Sequence, residues 1–262
     1  MADKVVLSAS PANIHECIDL ALEHDLGIEV MAFAFPAALD GDWRTLTNQY
    51  RGWLSPITGA ITLHGPFMDM APGSPDKQII DATLARFKHS LQIAHDLEAE
   101  KIVFHANFLS QVHSEDYRLG WTKRNIDFWG PLASYAALLG VTIVIENMWE
   151  SDPYLIADVL KAIDHPRLRA CLDVGHAHLY SRVPFETWVR VTAPYLVHTH
   201  LNNNDGEDDV HRGFADGVMD YGLILPLLRS VPEPATWVLE MDRVVDMRAS
   251  LSQLNLGVSQ AK

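Results

Sequence analysis

A single (β/α)8 barrel, the TIM-barrel architecture, is the fold this sequence predicts, and three observations predict it. Short apolar runs rich in β-branched residues alternate eight times with longer helical patterns, the order expected of βα units around a parallel sheet. The chain's 262 residues match the usual size of one such barrel, and a 48% hydrophobic content suffices for a full core. Most of the apolar runs end on a carboxylate or an imidazole, as in AITLH, KIVFH, VTIVIE, RACLD, LVHTH and TWVLE. A parallel barrel gathers the C-terminal ends of its strands at one mouth, so chemistry is expected there.

In chain order the strand windows are roughly 4–9, 27–33, 60–65, 101–107, 141–147, 168–174, 196–202 and 236–241. Between the third and fourth, Ser74 is read as a helix cap and Pro75 as the first helical position, with Ile80, Leu84, Phe87, Leu91 and Ala94 as one apolar stripe. Gly27 and Gly140 stand just before strands two and five, where helix C-caps belong. No linker, charge block or repeat interrupts the series, so residues 1–262 are read as one domain. The one long non-periodic stretch, 202–220 after strand seven, has the length of a functional loop.

Composition excludes several classes. A formal charge of −14 steers polyanions away, which leaves nucleic acid an unfavoured partner unless a local basic groove reverses the field. Cys17 and Cys171 read as two buried thiols, which fits a reducing cytoplasm. No apolar run is long enough to span a membrane, and the start MADKVVLSAS lacks the apolar core of an export signal. No G-x-G-x-x-G opens a helix after a strand, and neither a G-x-S-x-G elbow nor a Walker loop occurs. A homo-oligomer is left open, because outer helix faces cannot be mapped from one sequence.

Nine residues are candidate metal ligands: His64, His105, Glu146, Asp173, His176, His200, Asp209, His211 and Glu240. Glu146 and Glu240 each follow a buried strand pattern, where an unpaired carboxylate is costly. A metal would compensate each, and so would a neighbouring arginine. Asp173 and His176 form Asp-x-x-His at the end of strand six, with Gly175 letting the chain turn close to a ligand. His198 and His200 share one face of strand seven, and only the outer one, His200, is expected to reach the mouth. Asp209 and His211, spaced Asp-x-His, can grip one ion or belong to a solvated acidic loop. His64 and His105 close strands three and four, as ligands or as structural rim histidines. His15, His24, His89, His95, His113 and His165 read as surface residues.

The segments HGPFMDMAPGS, IVFHANF, VIENM, CLDVGHAH, HTHLNNNDGEDDVHRG and VLEMD resemble the xylose isomerase-like superfamily of TIM barrels over nearly the whole chain. That superfamily includes sugar and sugar-phosphate isomerases and epimerases, and also the endonuclease IV type of abasic-site nuclease (AP endonuclease family 2). For the epimerase branch the resemblance implies one divalent metal, often manganese, held by Glu146, Asp173, His200 and Glu240, with the two glutamates also moving protons. For the nuclease branch it implies three zinc ions on all nine positions, Glu146 bridging two and His176, Asp209 and His211 holding the third.

The loops favour the sugar reading. FAFPAALDGDW has no basic residue before Arg44, NNNDGEDDVHRG sets four acids against Arg212, and NMWESDP is acidic. A nuclease needs several basic contacts to a DNA backbone. Gly175 also stands where the nuclease branch usually has Cys, and no Ala-Gly-Tyr run follows. The expected activity is metal-dependent isomerisation or epimerisation of a sugar, sugar phosphate or related polyol, with Glu146 and Glu240 exchanging the α-proton through an enediolate. Carboxylate and imidazole donors suit Mn, Zn, Co or Fe. His176 and Arg212 would position substrate oxygens, while Phe67, Trp149 and Trp43 would cover the sugar's apolar face. A third reading is a barrel that binds metal or sugar without turnover.

Overall fold

The computed structural model describes residues 4–256; residues 1–3 and 257–262, the two ends of the predicted domain, lie outside the described residues. Eight parallel strands close into a barrel in sequence order. They are β1 (Lys4–Ala9), β2 (Gly27–Val30), β3 (Ile61–His64), β4 (Lys101–His105), β5 (Thr142–Glu146), β6 (Leu168–Asp173), β7 (Leu196–Leu201) and β8 (Thr236–Leu239). The helices are α1 (Ile14–His24), α2 (Pro36–Asp40), α3 (Trp43–Leu54), α4 (Lys77–Asp96), α5 (Glu115–Leu138), α6 (Tyr154–Ile163), α7 (Val174–Tyr180), α8 (Phe185–Thr192), α9 (Tyr221–Arg229) and α10 (Val244–Leu256). All eight strand windows are occupied. β2 is shorter than its window and gives way to a 3-10 turn at Ala32–Ala34.

Two local expectations are corrected. α4 is capped by Asp76, whose carboxylate accepts from the Gln78 amide at 2.8 Å. The Ser74 hydroxyl is used one turn earlier, accepting from the Asp76 amide at 3.1 Å, so Pro75 precedes the cap. Gly27 is strand, not cap. A Cβ there would lie 2.2 Å from the Ala60 carbonyl oxygen, so glycine allows β2 and β3 to approach, while Asp25 takes the left-handed position that ends α1 (φ 56°). Gly140 does have the expected positive φ, 74°, just past α5.

Strand pleating sorts the side chains. The main core lies between sheet and helices, with Phe87 of α4 stacked on Phe104 of β4 at 3.9 Å between centroids and on Trp129 of α5 at 5.5 Å. Replacing Phe87 by alanine is expected to cost about 3–5 kcal/mol, measured by urea unfolding, because all three layers lose contacts at once. A cost below about 1 kcal/mol would show that this layer repacks freely. Inside the barrel a separate small cluster forms from Val103, Val144 and Cys171, and another from Val6, Ala60 and Val238. Two residues beyond Val103, Val144, Cys171 and Val238, on the same face, stand His105, Glu146, Asp173 and Glu240. The register of the barrel thus delivers polar groups to the mouth directly above its apolar filling. Both thiols are buried and unpaired.

Candidate metal centre

Glu146, at the end of β5, is the hub. Its Oε2 lies 3.4 Å from His64 Nε2, 3.2 Å from His105 Nε2 and 3.4 Å from His200 Nδ1, and its Oε1 lies 3.2 Å from His176 Nδ1. His200 Nδ1 is 3.0 Å from Glu240 Oε2. Ligand-type atoms of Glu146, Asp173, His200 and Glu240 all fall within 4.8 Å of one another, and so do those of His64, Glu146 and His200 and those of His176, Asp209 and His211. All nine candidate ligands are therefore brought together, from the ends of β3 to β8, the first turn of α7 and the loop after β7.

These donors fit a cation better than they fit one another. Glu146 Oε2, Glu240 Oε2 and both ring nitrogens of His200 are buried without a hydrogen bond although polar neighbours stand about 3 Å away. Atoms that face a common point without aligning to each other have the geometry of ligands around an ion. Charge says the same. Burial, reinforced by the charges of Glu146 and Glu240, pushes the Asp173 carboxyl up to about 7. Three carboxylates crowded in one dry pocket call for a positive charge among them.

Neighbouring groups hold these candidate ligands in place. The His64 Nδ1–H donates to the Gly65 carbonyl at 2.8 Å, which leaves Nε2 free toward Glu146. Asp173 caps α7, accepting from the His176 amide at 2.5 Å, so the Asp-x-x-His spacing serves helix initiation as well as convergence. The Asn202 amide donates to Asp173 Oδ2 at 2.9 Å. Gly175 is what admits Asn202: a Cβ there would sit 2.0 Å from Asn202 Oδ1. Asn203 then shapes the 202–220 loop, its side-chain amide donating to the carbonyls of Phe214 and Met219 at 2.8 and 3.0 Å, its backbone pairing with Arg212. That fold-back carries Asp209 to 3.2 Å from His176 Nε2 and His211 to 3.4 Å from Asp209.

Sequence reasoning passed over this Asn run, Glu150 and Glu29. Glu150 is buried and accepts from the amides of Phe108 and Met148 at 2.8 and 2.6 Å, tying the loops after β4 and β5 together. The sequence marked Glu146 by its place at the end of an apolar run but gave no sign that Glu150, four residues on, is buried as well. His198 stays below the mouth, as expected, fully buried and donating to Glu29 at 2.8 Å; burial pushes its pKa down to about 4.

The proposed substrate contacts are distributed unevenly. Phe67 stacks on the His105 ring at 5.0 Å, at the edge of the cluster. Trp149 lines a cavity of about 570 Å³ beside it, shared with Met70, Leu109, Tyr117 and Trp121. Arg212 is engaged with Asp205 of its own loop at 2.8 Å. Trp43 is corrected: its ring packs edge-on against His89 of α4 at 4.7 Å and under the Arg44 guanidinium, so it is filler between helices. His89 is accordingly half-buried instead of a surface residue.

Fold and site define a closed parallel barrel with an acid and imidazole cluster at its mouth. The chain belongs to the xylose isomerase-like TIM barrel family, whose model matches residues 18–255. It is similar to the TTHB071 protein from Thermus thermophilus, in a structure soaked with ZnCl2, at 28% identity over 99% of both chains with a TM-score of 0.82. It also shares its fold with D-psicose 3-epimerase from Clostridium cellulolyticum H10, in a structure with D-tagatose, at 15% identity over 97% of this chain and 98% of that one, TM-score 0.75. Among curated sequences, the uncharacterized protein MJ1311 of Methanocaldococcus jannaschii is 24% identical over 65% of this chain and 60% of its own length. The match thus spans less than two thirds of that relative. Among the described residues no helix is long and apolar enough to cross a membrane.

Proposed function

We propose that the chain is a divalent-metal-dependent isomerase or epimerase of a sugar, sugar phosphate or related polyol. The observation that carries this reading is the buried four-donor group of Glu146, Asp173, His200 and Glu240, in which two carboxylates from β5 and from the end of β8 face the same small space. A bound Mn, Zn, Co or Fe ion would supply Lewis acidity to a substrate carbonyl and its neighbouring hydroxyl. Glu146 and Glu240 then stand where one takes the α-proton and the other returns one. His176 and Arg212 orient hydroxyl groups at the outer edge. Phe67 and Trp149 exclude water from the sugar's carbon face.

Charge at the rim supports a small substrate. Arg118 is committed to Asp152 at 2.7 Å and Arg243 to Asp246 at 2.7 Å, so neither is spare for a phosphodiester backbone, and Arg212 shares its charge with Asp205. The fold shared with an epimerase supports the same class.

A second reading has its own observation. His64 and His105 on Glu146 Oε2, and the His176, Asp209 and His211 group, offer donors for a second and third ion, the set an endonuclease IV-like zinc phosphodiesterase uses. Metal analysis of the purified protein separates the two: about one exchangeable ion supports the isomerase, and about three zinc ions with nicking of abasic-site duplex DNA overturn it. Metal retained with neither activity supports a barrel that only binds. His211→Ala sharpens the comparison. In the one-ion enzyme we expect the metal content to hold and turnover to fall by no more than about tenfold, the low end of the range for a supporting contact. Parallel collapse of metal content and activity would point to the larger cluster.

A further inference from the structure

Glu29 lies on β2, one layer below the mouth, and is fully buried inside the barrel. In a buried interior an ionised carboxylate is costly unless its oxygens are matched. They are matched to one side of the lumen. Oε2 accepts from Thr62 Oγ1 at 2.8 Å and from His198 Nε2 at 2.8 Å. Oε1 lies 2.9 Å from His200 Nε2. Neither of these last two atoms has a hydrogen bond elsewhere among the described residues, and at this distance each is the other's polar neighbour. The opposite ring nitrogen, His200 Nδ1, is the one that faces Glu240 and Glu146.

We propose that Glu29 is a positioning residue for the metal centre, holding the proton of His200 on Nε2 so that Nδ1 presents its lone pair to the ion. The inference rests on the metal reading of the site given above. An imidazole that donates one N–H to a carboxylate is fixed in tautomer and rotation and is a more basic ligand through its other nitrogen. Thr62 and His198 occupy Oε2 and so keep Oε1 aimed at His200. The chain of contacts therefore runs from β3 and β7 through β2 to the mouth, and it explains why the lumen retains a carboxylate one layer below the mouth.

Titration of the metal-free full chain with Co²⁺, followed by visible absorption, tests this without any substrate. Wild type is expected to bind and to give a ligand-field spectrum. Glu29→Gln, which keeps size but not charge, is expected to weaken Co²⁺ affinity by about 10–100-fold and to shift that spectrum. Glu29→Asp should recover part of the affinity. Thr62→Val, which keeps shape and removes one donor to Oε2, should weaken binding by a smaller factor of about two to five, on the same principle. An affinity within twofold of wild type and an unchanged spectrum for Glu29→Gln overturn the proposal. Should that variant not fold, the same result for Thr62→Val overturns it. A further Co²⁺ with a thiolate charge-transfer band in wild type would place an ion between Cys171, His198 and His200 and also overturn it. Wild type that binds no Co²⁺ sinks the metal reading itself, whereas binding that is indifferent to Glu29 sinks only this inference.

Discussion

Replacing Glu146 by glutamine is expected to empty the mouth of metal and to lower turnover by at least about a thousandfold, the combined loss of an acid/base group and its ion. No other residue touches so much of the site. The Glu146 carboxylate stands 3.2–3.4 Å from nitrogens of His64, His105, His176 and His200, so an amide would set N–H donors against imidazoles positioned to ligate. Stability provides a readout independent of substrate. An ion at about one hundred times its Kd stabilises a folded protein by about 2.7 kcal/mol, which for a chain of this size raises Tm by roughly 5–10 °C. Wild type should show that rise on adding Mn²⁺ or Zn²⁺ after chelation, and Glu146→Gln should not. An undiminished rise in the variant would mean that the ion is held without the hub, and the site as described would be wrong.

The fold was legible because two periodicities coincide. Each strand is buried on both faces, so its apolar run is continuous and easily seen; the polar residue that ends the run marks where the barrel stops being packed and starts being a site. That is why the candidate ligands at the strand ends could be picked out from the sequence, and the structure brings them together. Local signals that compete for the same side chain were less legible. Ser74 and Asp76 both suit a helix cap, and only the backbone shows that the hydroxyl serves the turn and the carboxylate the helix. Trp43 has the chemistry of a sugar platform, yet its helix points it at His89.

Glu29 was missed for a different reason. Ligands at strand ends break an apolar pattern visibly, whereas a carboxylate in the middle of GIEV looks like the solvent side of an amphipathic strand. Its burial becomes apparent only once β7 is known to place His198 and His200 across the lumen from it. The Asn202–Asn204 run was likewise read as loop composition, although its side-chain amides are what fold the loop back to deliver Asp209 and His211. What the sequence hides is therefore the support for the site, since supporting groups act through contacts between distant segments.

Glu240→Gln separates proton transfer from metal binding, and the proposed chemistry stands or falls on it. Glu240 closes β8 with Oε2 3.0 Å from His200 Nδ1. In the metal-free chain burial opposes its ionisation, but the charges of His200 and His211 outweigh burial and hold its pKa down to about 2; a bound cation would take over the role of the His200 charge, so the carboxylate is ionised at neutral pH in both states. A resting group of that kind accepts a proton only when it sits against one made acidic by the substrate's polarised carbonyl. The variant keeps three of the four donors in the group that includes Glu146, so it should retain about one ion with weakened affinity. Exchange of substrate α-protons with deuterated solvent, followed by NMR over a panel of ketoses and inositols, should nevertheless fall by about 10²–10⁴, the usual contribution of a placed acid or base. Exchange within tenfold of wild type would remove Glu240 from the proton path. Absence of exchange from wild type across the panel, with the ion bound, would remove the isomerase reading and leave the nicking assay to decide between the three-ion phosphodiesterase and a barrel that only binds its ion.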